Sequence, residues 1–283
     1  MDEEDVHESI DFREAVNAVS DVVQNRPAPL REFDQIYMKA GDLVTMAIYV
    51  ARKYADQHVV FIGDGDGIAL AVMHLTTKGI VRRGPASVLV LDFDERIVMS
   101  IKRFADTNEI EDRISARLYN VCDPLPEDIV GTKDAFYTNP PWGASNGGES
   151  VLAFVERGIE AIHPRGMGAV VIGDDHALQW TKDVLASTQR RGLELGFIVS
   201  EMIPKWHLYH LDDAPDLRSC VVLLQGINDS ERPKSEPLSE ERRLHFYGRE
   251  SPLIVRYVRE RETLNYGKAP DSTYELERIV SDA

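Results

Sequence analysis

Residues 59–70 read Val-Val-Phe-Ile-Gly-Asp-Gly-Asp-Gly-Ile-Ala-Leu, and this stretch decides the fold. A short apolar run ends in three alternate glycines, Gly63, Gly65 and Gly67, and a further apolar segment of helical length follows. This order predicts a buried strand, a tight turn and a helix. Glycine in such a turn permits a positive φ and removes the Cβ that would keep a nucleoside away from the backbone. The turn is therefore a predicted nucleoside-cofactor site.

The segments after this turn alternate between the patterns of strands and helices. Strands are predicted at 59–62, 87–91, 114–119, 135–138, 168–172, 196–202 and 220–225, and helices at 68–77, 95–108, 150–162 and 182–191. Strands separated by helix-length segments imply parallel pairing with right-handed crossovers. The last two strands are expected to form an antiparallel pair at one edge. The prediction is an α/β, Rossmann-like fold with a mostly parallel sheet and an antiparallel closing strand.

The chain is predicted to divide into three parts. Residues 1–58 are expected to form a helical amino-terminal extension, and residues 59–227 the Rossmann-like domain. Residues 228–283 are expected to form a charged extension packed on or near that domain, with an exposed loop at 228–243.

The net charge of −16 repels phosphate backbones and attracts cations, so nucleic acid is not an expected partner and a small polycationic amine is. No apolar run approaches the roughly 18 residues of a membrane helix, and the acidic start does not resemble a secretory signal. We therefore expect a cytoplasmic protein without membrane contact. Cys122 and Cys220 lie in apolar or strand-like contexts and are predicted to be buried free thiols.

Carboxylates accompany the glycines and follow the second predicted strand. Asp64 and Asp66 alternate with the glycines, and Asp92, Phe93 and Asp94 end the next strand. Two aspartates in the turn would repel a pyrophosphate, so they favour a cationic ligand, which a sulfonium is. Asp92 is the best candidate to accept hydrogen bonds from the ribose hydroxyls, with Phe93 and Asp94 beside it. S-adenosylmethionine or a derivative is the predicted cofactor.

Alternatives remain open for these acids. The glycines could simply make a tight turn while Asp92 caps the following helix. Asp123, which follows the third strand, could meet an adenine amino group or could form a turn with Pro124. Asp123 is therefore kept as a predicted cofactor contact with this alternative beside it.

A second motif, Asn139-Pro140-Pro141-Trp142, ends the fourth predicted strand. Open α/β sheets place their chemistry beyond the carboxyl ends of the strands. The two prolines restrict the backbone, so the asparagine amide and nearby carbonyls are presented rigidly to a nucleophilic nitrogen. The tryptophan ring can stack on that group or form a cation–π contact. A Pro-Pro turn beside a core tryptophan is the alternative.

Further acids could bind the rest of a cationic substrate. Glu149 precedes a predicted helix, where it could instead favour the helix dipole, and Asp174 and Asp175 follow the fifth strand. A group of histidines and aspartates lies further along the chain, at His207, His210, Asp212, Asp213 and Asp216. Its spacing matches no common zinc pattern, so no metal is predicted.

With these motifs in view, the chain resembles the branched-chain polyamine synthases, also called N4-bis(aminopropyl)spermidine synthases, over roughly residues 30–225. The resemblance rests on Asp34-Gln35-Ile36-Tyr37-Met38, the glycine turn, Asp92-Phe93-Asp94 and the Asn139–Trp142 motif. It implies a class I methyltransferase-like catalytic domain and decarboxylated S-adenosylmethionine as aminopropyl donor. It also implies that an aspartate of the turn accepts the amine proton and that Tyr37 belongs to the substrate site.

The chain departs from the family pattern at two points. Family members carry Gly-Asp-Asp-Asp at the turn, whereas this chain has Gly63-Asp64-Gly65-Asp66 and so lacks the middle carboxylate. A separate amino-terminal winged-helix domain, as in the archaeal enzymes, is not expected here. The resemblance therefore supports fold and transfer chemistry more firmly than it supports spermidine as the acceptor.

Three hypotheses for function follow. In the first, Asp66 or Asp64 takes the proton of a polyamine nitrogen, and Asn139 and the Pro140 carbonyl align that nitrogen with the aminopropyl donor. In the second, the chain is an S-adenosylmethionine-dependent N-methyltransferase acting on a nucleobase, protein or small-molecule amine, since Asn-Pro-Pro-aromatic motifs also occur there. In the third, the chain senses cofactor without turnover, which only the glycine at position 65 supports. A homodimer is compatible with each hypothesis.

Overall fold

The computed structural model describes residues 10–212, 214–227, 234–244, 246, 255–261 and 274–279. Its main sheet has seven strands in the order β3-β2-β1-β4-β5-β7-β6. These strands are β1 (His58–Ile62), β2 (Ser87–Asp92), β3 (Ile114–Leu118), β4 (Lys133–Thr138), β5 (Ile162–Asp174), β6 (Phe197–Leu208) and β7 (Arg218–Gly226). The first five pair in parallel, and β7 runs antiparallel to both β5 and β6. The predicted mixed α/β sheet and its antiparallel edge are confirmed.

Helices cover both faces of this sheet. They are α1 (Phe12–Asn25), α2 (Ala40–Lys53), α3 (Ile68–Thr77), α4 (Glu95–Thr107), α5 (Glu149–Ala161) and α6 (Gln179–Glu194). Alternate side chains of β1 enter two different cores, because successive residues of a strand point to opposite faces. Val59 and Phe61 pack with α1 to α4, whereas Val60 and Ile62 pack with α5 and α6. Burial on both faces explains why β1 is a continuous apolar run.

Two predicted strands are longer than their sequence patterns suggested. β5 begins at Ile162, directly after α5, and β6 continues to Leu208. β6 lies at the sheet edge with most of its residues exposed or half-buried, so it lacks the apolar run that marks a buried strand.

Elements outside the predicted Rossmann-like segment pack against it. Helices α1 and α2 contact α3 and share one core with it. Two further strands, β8 (Val255–Glu260) and β9 (Tyr274–Arg278), form a separate antiparallel hairpin that contacts α4. A loop was predicted at 228–243, but a short helix, α7, spans Glu240–Arg243. The loop prediction is therefore wrong for residues 240–243. The three-part division of the chain stays a prediction.

The sheet order places the two sequence motifs together. β1 and β4 are neighbours, although β2 and β3 lie between them in the chain. The chain therefore winds outward from β1 in one direction and from β4 in the other, and their carboxyl ends flank a crevice. In the described part of the chain, no helix is long and apolar enough to cross a membrane. Cys122 and Cys220 are both buried and free, as predicted.

Candidate active site

A cavity of about 370 Å³ opens at the carboxyl ends of β1, β2 and β4. Eleven of the predicted site residues line it, namely Tyr37, Gly63, Asp64, Gly65, Asp66, Asp92, Phe93, Asn139, Pro140, Pro141 and Trp142. Its size lies within the range of small-molecule sites in proteins. The glycine turn and the Asn-Pro-Pro-Trp motif therefore form walls of a single cavity.

Glycine is favoured in this turn for two different reasons. Gly63 has φ 72° and Gly67 has φ 76°, a region that other residues rarely adopt. Gly65 has no such φ, but a Cβ built there would lie 3.3 Å from Cε1 of Tyr37. Position 65 carries the middle carboxylate in the family pattern. In this chain it is a glycine, and the Tyr37 ring packs closely on it. Gly67 caps α3 and does not line the cavity, so its predicted cofactor contact has no support here.

Asp64 serves the turn and the start of α3. Its Oδ1 accepts a hydrogen bond from the Ile68 backbone N–H at 2.9 Å, and its Oδ2 accepts one from Ala69 at 3.0 Å. These donors are among the amides that a helix start leaves without a partner in the helix. Burial raises the pKa of this carboxyl well above its usual range, although the Ala69 hydrogen bond lowers it. Both oxygens of Asp64 accept from amides of α3, whereas Asp66 accepts from the motif residue Asn139, so Asp66 is the better candidate to accept a substrate proton.

Asp66 connects three distant parts of the chain within the cavity. Its Oδ1 accepts from the Met38 backbone N–H at 2.6 Å, and its Oδ2 accepts from Nδ2 of Asn139 at 2.6 Å. Nη1 of Arg26 donates to the Asp66 carbonyl at 3.0 Å. Burial raises the pKa of the Asp66 carboxyl, while the Met38 hydrogen bond and the Arg26 charge lower it. A buried carboxyl with a raised pKa is a stronger base than an exposed one.

Asp92 lies on the opposite side of the glycine turn. Its two oxygens accept from the backbone N–H groups of Asp64 and Asp94, each at 2.9 Å. Burial, and next the Asp94 charge, raise the pKa of Asp92 to about 7. Each carboxylate oxygen has a second lone pair, so the group can still accept hydrogen bonds from ligand hydroxyls.

Asn139 and Trp142 are held by each other and by a residue that the sequence patterns missed. Trp142 Nε1 donates to Asn139 Oδ1 at 3.3 Å, which leaves that oxygen one lone pair for a substrate donor. Tyr209 packs its ring edge-on against Trp142, with centroids 4.9 Å apart, and its hydroxyl oxygen lies 3.4 Å from Asn139 Nδ2. The Tyr209 hydroxyl in turn donates to Ser219 Oγ at 3.1 Å. Because Tyr209 follows the edge strand in no recognisable motif, only the fold brings it here.

Five predicted residues lie outside the cavity because other groups hold their side chains. Asp94 caps α4, accepts from Gln35 and pairs with Arg96. Asp123 pairs with Arg256, and Glu149 pairs with Arg242. Asp174 accepts from the Lys205 backbone N–H, and Asp175 accepts from that of Ala177. Direct ligand contacts predicted for these acids have no support in the structure.

Acidic residues outnumber basic ones in the cavity wall. Among the residues that line it, Asp34, Asp64, Asp66 and Asp92 are acids, whereas Arg31 is the one Lys or Arg. Asp34 belongs to the segment that carries the family resemblance, yet it was not predicted as a site residue. Such a wall attracts a cation and repels an additional carboxylate. Among the described residues, no group of three or more His, Cys, Asp or Glu could hold a metal ion.

The cavity fits an adenosyl sulfonium compound. Gly63 and Gly65 line the cavity without a Cβ, which allows close approach of a ligand to the backbone, and Asp92 offers oxygens to hydroxyl groups. Apolar surface beside it comes from Phe93, Tyr119 and Val121.

Comparison with known proteins identifies the family. The family described as the branched-chain polyamine synthase A C-terminal domain matches residues 14–235, well over half of the chain. The chain belongs to this family. The predicted resemblance to branched-chain polyamine synthases is thereby confirmed.

Two curated relatives of this chain carry the same name. It is 28% identical over 201 residues to the N(4)-bis(aminopropyl)spermidine synthase of Thermococcus kodakarensis, covering 70% of this chain and 53% of the relative. It is 29% identical over 191 residues to the enzyme of that name from Thermus thermophilus, covering 66% and 50%. An uncharacterised protein of Methanocaldococcus jannaschii is 25% identical over 219 residues, covering 77% and 51%. The chain thus spans about half the length of these curated relatives.

Solved structures confirm the fold. The branched-chain polyamine synthase from Thermus thermophilus, in complex with N4-aminopropylspermidine and 5′-methylthioadenosine, matches with a TM-score of 0.67 at 22% identity, covering 82% of this chain and 69% of that one. A Pyrococcus horikoshii protein described as an RNA methyltransferase matches with a TM-score of 0.57 at 13% identity, covering 77% and 98%. The synthase-family chain therefore has the expected class I methyltransferase-like fold.

Proposed function

We propose that this chain transfers an aminopropyl group from decarboxylated S-adenosylmethionine to an amine nitrogen of a polyamine of the spermidine type. The observation that carries the proposal is the Asp66–Asn139 pair, in which a buried carboxylate and a motif amide are joined at 2.6 Å in the cavity wall. A nitrogen that binds beside this pair meets both a proton acceptor and a hydrogen-bonding amide. The names of the curated relatives support the same reaction.

The acidic wall supports the choice of donor. S-adenosylmethionine carries an α-carboxylate that its decarboxylated form lacks. Four acids and one Lys or Arg line the cavity, so the extra carboxylate would meet repulsion. The decarboxylated donor keeps the ammonium and sulfonium charges without the carboxylate, so its net positive charge is larger and such a wall attracts it more strongly.

In the proposed reaction, Asp66 accepts a proton from the amine as the nitrogen lone pair attacks the propyl carbon next to the sulfonium. The new C–N bond forms while the C–S bond breaks, and the sulfur keeps that electron pair as a neutral thioether in 5′-methylthioadenosine. Asn139 orients the nitrogen through its remaining Oδ1 lone pair, and Trp142 covers the reacting group. Asp92 holds the nucleoside by accepting hydrogen bonds from the ribose hydroxyls.

The deciding experiment incubates the purified protein with spermidine and decarboxylated S-adenosylmethionine and analyses the products by mass spectrometry. We expect an acceptor enlarged by one or more aminopropyl groups and an equivalent amount of 5′-methylthioadenosine. S-adenosylmethionine in place of the donor, with the same amine, is the matched control. If the protein binds S-adenosylmethionine tightly but forms no aminopropyl product, the proposal fails.

The same assay tests the alternative of N-methylation. Methyl-labelled S-adenosylmethionine is offered with DNA, RNA, protein or small amines, and transfer of label to one of them would favour that alternative. The Asn-Pro-Pro-Trp motif is compatible with both reactions, so the donor that supports turnover is the discriminating measurement.

A further inference from the structure

The carboxyl-terminal hairpin β8–β9 lies against the end of β2, beside the nucleoside part of the cavity. Val258 donates its backbone N–H to the Phe93 carbonyl at 3.2 Å and forms a parallel bridge with Asp94. The Val258 side chain is fully buried. Both strands of the hairpin lie beyond residue 235, where the family match ends. The hairpin is therefore an addition to the matched segment that contacts its cofactor edge.

A second group of contacts joins the hairpin to the end of β3. Asn120 Nδ2 donates to the Arg256 carbonyl at 2.7 Å, and its Oδ1 accepts from the Cys122 N–H at 2.9 Å. Arg256 also pairs with Asp123 at 3.3 Å, which holds this acid outside the cavity. Tyr119 and Val121, on either side of Asn120, line the cavity.

A third group of contacts joins the hairpin to the first turn of α4. The Glu260 backbone N–H donates to Glu95 Oε2 at 3.1 Å, and Arg259 lies 3.4 Å from the other oxygen of Glu95. The Tyr274 ring lies 5.0 Å from the Arg96 guanidinium, which pairs with Asp94 at 2.6 Å.

Asp94 connects the contacts of the hairpin to Asp92. The Asp94 backbone N–H donates to Asp92 Oδ1 at 2.9 Å, so the position of Asp94 helps to set the direction of the Asp92 carboxylate. Phe93, whose carbonyl binds the hairpin, lines the cavity between these two acids. Without the hairpin, the Phe93 carbonyl, the Asn120 amide and the Arg96 side chain would each lose a partner.

We propose that the hairpin β8–β9 is a positioning element for an adenine nucleoside, holding the ends of β2 and β3 in the conformation that binds it. The nature of the ligand rests on the proposed function. Among the described residues, the hydrogen-bond partners of Asp66 and Asn139 all lie outside β8 and β9, so the hairpin acts on nucleoside affinity and leaves amine binding unchanged.

The test uses Val258→Asp in the full chain, because an unpaired carboxylate at this buried position favours release of the hairpin. We expect the Kd for 5′-methylthioadenosine, measured by calorimetry, to rise on the order of tenfold, while the KM for the amine stays within about twofold. Hydrogen exchange at residues 93–95 should increase. Arg261→Gln is the matched control, since Arg261 pairs with Glu275 inside the hairpin and its side chain is half exposed. If Val258→Asp does not fold, Tyr274→Ala replaces it, with an expected rise of about threefold.

Unchanged nucleoside affinity despite faster exchange at residues 93–95 overturns the inference. Unchanged exchange in the variant also counts against it, because the hairpin would then not hold these residues. Equal losses in nucleoside and amine affinity, or an equal loss in Arg261→Gln, point to general destabilisation and refute the positioning role. Calorimetry needs no turnover, so a chain that alkylates no amine but loses nucleoside affinity in Val258→Asp and not in Arg261→Gln would disprove the proposed function alone.

Discussion

Replacing Asp66 by asparagine separates the roles of the two carboxylates in the glycine turn. The carboxylate accepts two hydrogen bonds of 2.6 Å, whereas asparagine has one acceptor oxygen and turns its NH₂ toward Met38 N–H or Asn139. The loss of one buried hydrogen bond costs about 1 kcal/mol, and removal of a desolvated charge offsets part of it. Thermal stability should therefore change little. Loss of the general base should lower kcat about 10² to 10⁴-fold.

Asp64→Asn is the matched variant, since it changes the same chemical group two residues away. Asp64 caps α3 through Ile68 and Ala69, so its replacement should lower the free energy of unfolding by roughly 1 kcal/mol. Its kcat should remain well above that of Asp66→Asn. Thermal unfolding measures the first of these two quantities, and product formation measures the second.

The pH profile of kcat, measured with donor and amine both saturating so that binding to Asp92 does not contribute, adds a second measurement. Burial raises the pKa of Asp66, and the base acts only when ionised, so activity should fall as pH falls through that pKa. This acidic limb should be absent from the residual activity of Asp66→Asn. The assignment of Asp66 as the base is refuted if Asp66→Asn keeps kcat near the wild-type value or if Asp64→Asn loses more turnover.

Three further predictions concern the rest of the cavity. Tyr209→Phe removes the hydroxyl beside Asn139 but keeps the ring, so kcat should fall about threefold to tenfold while the nucleoside Kd stays unchanged. A kcat equal to that of the wild type contradicts a positioning role for the Tyr209 hydroxyl. The pKa of Asp92 is raised to about 7, and its ionised form is the one that binds ribose hydroxyls. The Kd for 5′-methylthioadenosine should therefore rise about tenfold from pH 8 to pH 6. A Kd that calorimetry finds independent of pH counts against the contact between Asp92 and the ribose. Gly65→Ala places a Cβ 3.3 Å from the Tyr37 ring, so the KM for the amine should rise and the melting temperature should fall by a few degrees. Unchanged values would mean that the Tyr37 ring moves freely away from the new methyl group.

The sequence by itself determined the mostly parallel sheet and the two motifs at the ends of its strands. The apolar run of β1, the glycines after it and the spacing of later strands predict parallel pairing, because a buried strand and a crossover helix each leave a periodic pattern. Once β1 and β4 are adjacent, the glycine turn and Asn139 must lie at one crevice. The acidic character of the turn was also visible in the sequence.

Only the tertiary structure decided which groups each acid contacts. Asp64 and Asp66 look equivalent in the sequence, but one faces the first amides of α3 and the other faces Met38 and Asn139. Asp94, likewise, is held by Arg96 and Gln35 outside the cavity.

Contacts between distant segments decided the rest. Asp123 pairs with Arg256, 133 residues away, and the Tyr209 hydroxyl meets Asn139, 70 residues away. Local periodicity carries no information about such contacts, because they depend on where separate elements pack. The glycine turn thus predicts the kind of ligand, whereas packing decides which groups each carboxylate contacts.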